Sequence, residues 1–251
     1  LESGNRKVRA KAAQLAGLTK YRTGIYLINQ MLQDRAVELS APAARALARL
    51  GERECIPTLI DMLGSIHEEC SEAAKDALVK LGGSDIVEQL HVRVEKTEGL
   101  ERFRIVRTLY ALNDQRGRRL LKRAFNEQPT LKPEAALLLA RDGDWDASQY
   151  LRGRLGKRED PTEANLIYRA RNAAALFEGG DPQAMAVLLE LLRTDKAKVQ
   201  LKVFELVTKL ADRRLLAIVQ PSIENVEPEI AMEACISAVS IAKPDFRTRL
   251  L

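Results

Sequence analysis

Aromatic side chains make up only 4% of this 251-residue sequence, with one tryptophan among them. A core built without them is filled by Leu, Ala, Val and Ile, and such small or branched side chains let helices approach closely. Histidine is scarcer still, at two. His67 and His91 supply too few ligands for a multi-histidine metal centre, and they support no Ser-His-Asp or Cys-His nucleophile. The three cysteines, Cys55, Cys70 and Cys235, are odd in number and lie at or beside apolar helical positions. This reads as reduced, packed thiols rather than a disulfide framework, and places the chain in the cytoplasm. No apolar run approaches the ~20 residues of a membrane span. No charged-then-apolar signal segment opens the chain, and no phosphate-cradling glycine loop is present. Leu1 in place of Met is compatible with an excised or processed chain, from which a targeting segment or anchor was removed.

What the sequence has is a repeat. Leu50-Gly51, Leu81-Gly82 and Leu112-Asn113 each follow a stripe of small residues and precede a second apolar run. Ala43, Ala46, Leu47 and Leu50 fall three and four apart, on one face of a helix, and Ile56, Leu59, Ile60 and Leu63 do the same after the break. Glycine at the break supplies the left-handed conformation that ends a helix, so each unit reads as a helical hairpin. The phase runs through Leu18, Leu50, Leu81, Leu112, Asp142, Gly179, Leu210 and Ile241. One interval is stretched, and the polar segment Lys157 to Glu163 with Pro161 is taken as an inserted loop there. Asp34, Ser65 and Asp195 recur in the connections between hairpins, where they are expected to cap helix starts. The sequence therefore predicts an all-α fold, an α-α superhelix of about eight hairpins forming one domain over residues 1–251.

The unit from Ala43 to Leu63, with its A-x-A-L-x-x-L-G core and I-P-x-L-I-x-x-L second helix, resembles the HEAT-like repeat of the phycobilisome lyase type. That resemblance implies a solenoid but not a reaction, because such repeats serve bilin lyases, deoxyhypusine hydroxylase and many bacterial scaffold proteins. In deoxyhypusine hydroxylase, His-Glu pairs immediately before the A-A-x-A-L-G run hold a di-iron centre. Here Ser71-Glu72 stands in that place and His67-Glu68 lies four residues early, so no metal or cofactor is expected. Ser65-Ile66-His67-Glu68 reads better as a capping box. Asp142-Gly143-Asp144-Trp145-Asp146 alternates aspartates as calcium loops do, but Gly153 stands where an EF-hand needs its glutamate, and the segment reads as a turn. Trp145, at that turn, is a candidate aromatic anchor, with packing on a neighbouring hairpin as the alternative.

Charge carries the functional reading. The net charge is +5, and arginines crowd the middle of the chain. Arg119, Lys122, Arg123, Arg152 and Arg154 fall on second helices, which line the concave face of such solenoids. They define an expected basic groove, against the alternative of a solvated helix face among Glu101, Asp114, Glu127 and Glu134. The leading expectation is a non-catalytic scaffold whose groove clamps an acidic protein segment. The alternatives are binding of nucleic-acid backbone, as in the alkyl-purine DNA glycosylases that also use HEAT-like repeats, and a bilin lyase subunit. Tyr110, Tyr150 and Tyr168 look scattered for base stacking. The last helix, with Ile230, Ala231, Ala234, Val239 and Ile241, lacks the polar outer face of a terminal repeat, and contact with another subunit or further sequence is expected there.

Overall fold

The structure is a computed structural model that describes residues 1–34, 36–156 and 162–242. Among these residues every regular element is helical. Two compact units, Leu1–Ala124 and Phe125–Leu251, are taken in turn.

In the first unit the hairpins are α1 (Arg6–Thr19) with α2 (Ile25–Gln33), α3 (Val37–Leu50) with α4 (Ile56–Met62), and α5 (Glu68–Leu81) with α6 (Ser84–Val94), followed by α7 (Gly99–Ala111) and most of α8 (Gln115–Glu127), whose last turn from Phe125 belongs to the second unit. First helices stack side by side, α1 on α3, α3 on α5 and α5 on α7. The stripe that the repeat predicts is the core: Leu39, Ala43, Ala46, Leu47, Leu59 and Leu63 are all fully buried. Each buried Leu or Ile contributes on the order of 1.5–3 kcal/mol. Gly51 ends α3 at φ 74°, in the left-handed region that glycine adopts freely.

In the second unit the hairpins are α9 (Lys132–Arg141) with α10 (Trp145–Arg152), α11 (Glu163–Glu178) with α12 (Ala184–Leu192), and α13 (Ala197–Leu210) with the short α14 (Leu216–Val219). The unit's described residues close on α15 (Pro228–Ala242). Here α9 packs on α11, α11 on α13, and α13 on α15. Most of the expected inserted loop, residues 157–161, lies outside the described residues, and Thr162 caps α11 by accepting from the Asn165 amide.

Several local expectations need correction. In the first repeat the slot given to Leu18 belongs to Thr19. Tyr21 N donates to Ala16 O at 2.9 Å as Glu52 N donates to Leu47 O at 3.0 Å, so Ala16 is the equivalent of Leu47. Beside it Gly17 brings α1 hard against α3: a Cβ on Gly17 would lie 2.9 Å from the Ala46 Cα. Asp34 and Ser65 do not cap helices. Each accepts from the amide two residues on, Ala36 at 2.9 Å and His67 at 3.2 Å, and so forms a tight turn just before the helix. The capping box at Ser65 and Glu68 therefore does not form, since α5 starts at Glu68 itself, behind His67. Cys55 and Cys70 are buried as expected, but Cys235 is exposed.

Arginine supplies caps that the local sequence does not announce. Arg22 donates from Nη1 to Leu50 O at 3.2 Å, and Arg53 donates to Leu81 O at 3.2 Å and Gly82 O at 2.9 Å. Each of these arginines follows one first helix and reaches the carbonyl end of the next.

Candidate partner-binding surface

The residues expected to form a basic groove fall in both units. In the first, α8 exposes Arg119 and Arg123, with Lys122 half-buried. This helix is held against α7 at Gly117, where an added Cβ would lie 2.6 Å from the Leu109 Cβ. Asp114 anchors its start by accepting from the Gly117 amide at 2.7 Å, and it also meets His91 Nε2 at 2.9 Å. Burial alone would raise the Asp114 carboxyl, but His91 and the backbone amides hold it below its ordinary value. His91, the second of the two histidines, is thus paired with a helix-start aspartate.

In the second unit Arg152 is committed to structure. Its Nε donates to Asp181, whose side chain is only 3% exposed, tying α10 to the α11–α12 turn. Arg154, in the turn after α10, lies over the Tyr150 ring at 4.6 Å from its centroid. Lys132, at the start of α9, sits 4.8 Å from the Phe125 ring centroid and 5.3 Å from that of Tyr150. Phe125 and Tyr150 meet edge to face at 5.8 Å. Cations over ring faces are attracted by the ring quadrupole, by about 0.5–1 kcal/mol at exposed sites and more when desolvated.

Tyr168, on α11, belongs to the same neighbourhood. Burial pushes its phenol up, Arg154 and Arg171 pull it down, and Tyr150 and Glu134 push it up, with a net rise. Two of the three tyrosines that look scattered in sequence are therefore brought together with Lys132 and Arg154. Reading the sequence alone missed Lys132 altogether. The spacing of Tyr150 and Arg154 on a helical turn was the available signal.

The surrounding charges sort into paired and unpaired. Glu134 is held by Arg171 at 3.0 Å, Glu190 by Arg169 at 2.8 Å, and Asp181 by Arg152. Lys132 and Arg154 face rings, and neither forms an ion pair among the described residues. Trp145, the candidate anchor, opens α10 with 70% of its surface exposed. The aspartates around it behave as turn residues: Gly143 adopts φ 76°, and Asp144 caps α10 through the Ala147 amide at 3.0 Å.

The first unit has a recess of a different kind, about 700 Å³ in volume, lined by Leu32, Asp34, Asp61, Met62, Ile66 and His67 among others. Its lining includes the carboxylates of Asp34 and Asp61, the latter paired with Arg93 at 3.2 Å. The buried Cys55 thiol, pushed up to about 11 by burial and by Glu52, stays protonated at neutral pH and is no nucleophile. No helix among the described residues is long and apolar enough to cross a membrane.

No curated protein matches the chain. Among solved structures it is similar to an engineered protein at 18% identity and TM-score 0.36, over 97% of this chain and 77% of that one. It is also similar to human deoxyhypusine hydroxylase in complex with glycerol, at 16% identity and TM-score 0.37, over 94% and 97% of the two chains. A second engineered protein is similar at 15% identity and TM-score 0.33, over 87% and 96%. Residues 1–79, which include the Leu50-Gly51 step, fit the family model of HEAT repeats.

Proposed function

We propose that this protein is a non-catalytic interaction module that holds an acidic protein segment against the cation and ring cluster of its second unit. The observation that carries this reading is the pair Lys132 and Arg154. Both cations are held beside Tyr150, and the nearby carboxylates Glu134, Glu190 and Asp181 are already paired. An incoming carboxylate meets an ordered guanidinium that needs little further fixing, and the planar fork of Arg154 can clamp it bidentately. Trp145, exposed on the same hairpin, supports the reading as a second anchor. Arg119, exposed on α8, is a separate basic residue in the first unit.

Binding of nucleic-acid backbone is the second reading, favoured by the mixture of rings and cations. Stacking of a base on Tyr150 is opposed by Arg154, which already covers a face of that ring at 4.6 Å. The likeness of Ala43–Leu63 to phycobilisome lyase repeats concerns the repeat unit, and we carry it no further.

The test is fluorescence anisotropy of an Asp/Glu-rich peptide and of a mixed-sequence duplex DNA, each across a salt series. The proteins compared are the wild type, Lys132→Glu/Arg154→Glu and Arg119→Glu. Peptide binding that the double reversal weakens at least about tenfold supports the proposal. Tight DNA binding with a steep salt slope and no peptide binding supports the second reading. Peptide binding indifferent to the double reversal overturns the site.

A further inference from the structure

The two helices at the ends of the stacks, α1 and α15, present apolar outer faces. On α1, Val8 and Leu15 are 51% and 60% exposed, and on α15, Met232 and Val239 are 58% and 50% exposed. Their places in the repeat say what those faces are shaped for. Gly17, Ala48, Thr208 and Val239 are equivalent positions, and so are Leu15, Ala46 and Ser237. Inside the stacks a residue of the first set meets one of the second set on the following helix. Gly17 lies against Ala46, where its Cβ would be 2.9 Å from the Ala46 Cα, and Thr208 Oγ1 meets Ser237 Oγ at 2.6 Å. Ala46 and Ser237 are fully buried by this stacking, whereas Leu15 and Val239 are the members left uncovered.

Charge runs the same way. Helix α1 carries Arg6, Lys7, Arg9 and Lys11 and no acid, whereas α15 carries Glu229 and Glu233 and no base. Glu134 of α9 pairs with Arg171 of α11 at 3.0 Å. In the same repeat register, Glu233 of α15 faces the position that Lys11 holds on α1.

From these observations we propose that α15 of one copy stacks on α1 of a second copy, head to tail, in the register that joins successive first helices within the chain. Val239 then covers Leu15 of the neighbouring copy, and Glu233 pairs with its Lys11. A contact between two different faces is heterologous, so it either closes into a ring or continues to grow.

Sedimentation velocity across a wide concentration range tests this with the full chain. The expected result is concentration-dependent self-association, weakened at least about thirtyfold by Leu15→Glu and by Val239→Lys alone. Mixing the two single variants restores association, because the unaltered α15 face of Leu15→Glu meets the unaltered α1 face of Val239→Lys. The remaining faces carry Leu15→Glu and Val239→Lys, which the same register brings together as an opposite-charge pair, so both contacts of the mixture favour association. Both positions are exposed, and thermal melts that match the wild type confirm that the variants fold. A wild-type chain that stays monomeric throughout overturns the proposal and leaves the two faces to flanking sequence or another protein. Association that only one of the variants weakens, or that mixing fails to restore, overturns it in favour of a symmetric contact.

Discussion

Replacing Gly179 by alanine forces two helices apart, and the size of the effect follows from one distance. A Cβ built on Gly179 lies 2.0 Å from the carbonyl oxygen of Ala140, where ordinary contacts run 3.4–4 Å. The obstacle is backbone rather than a flexible side-chain tip, so the end of α11 must move away from α9 by more than an ångström. Overpacking of this kind costs about 1–3 kcal/mol, and a rigid obstacle argues for the upper part of that range. Gly179 has φ −75°, so no left-handed strain contributes. Gly153 is the control, because it also has a negative φ, −59°, and its nearest neighbour is 3.7 Å away. Gly153→Ala is expected to be neutral or to stabilise by about 0.4–1 kcal/mol through the unfolded chain. Urea unfolding gives the comparison directly, as a shift of midpoint at unchanged slope. For a chain of this size a loss of about 2–3 kcal/mol corresponds to a Tm lower by roughly 4–12 °C. If the two variants unfold within about 0.5 kcal/mol of each other, the close approach of α9 and α11 is refuted.

Other outcomes follow from the same structure. Burial alone would raise the Glu72 carboxyl, but Lys75 and Arg107 hold it below its ordinary value. A depressed carboxylate stabilises the fold above its unfolded pKa, and that contribution disappears as pH falls through the lowered folded value. Glu72→Gln is therefore expected to flatten the acid limb of a stability-against-pH curve below about pH 4.5 while lowering stability at neutral pH, as read from urea midpoints. Thiol titration with a disulfide reagent at pH 8 is expected to label Cys235 rapidly and Cys55 and Cys70 only on unfolding. Cys235 is exposed, the other two are buried, and the Cys55 thiol is pushed up to about 11. Rapid labelling of all three in the native protein would contradict that packing.

The repeat phase was legible because it rests on the strongest signal a helical sequence carries, apolar residues three and four apart with a break. Helices α3, α5 and α13 end on Leu50, Leu81 and Leu210, as that phase requires. The one-residue slip at Leu18 has a simple source: Leu is the usual core letter, but in this repeat Ala16 takes the place of Leu47 and the helix ends on Thr19. Capping was misread at Asp34 and Ser65 because the same short oxygen side chain serves a turn or a helix start, and local sequence does not separate the two. The cluster around Tyr150 was illegible for a different reason. Lys132, Tyr150 and Tyr168 come from three helices, and only packing brings them together. Arg152 looked free because its partner, Asp181, sits in the turn of the following hairpin.

Two arginine caps on the first helices of the first unit run in one direction, whereas Arg104 of α7 reaches back to Leu63 O at the end of α4. Arg22, beyond α1, supplies donors to the end of α3, and Arg53, beyond α3, does so for the end of α5. The first and second hairpins thus each finish the first helix of their successor, since a helix leaves its last carbonyls without internal partners. Loss of the first hairpin would strip the second of a cap, whereas no reciprocal cap of this kind runs back from the second to the first among the described residues. Nearest-neighbour coupling in repeat arrays is usually written as one energy per junction. Here two of those junctions have a polarity, and an unfolding front that starts at α1 meets first α3 and then α5 already deprived of the cation that closed it.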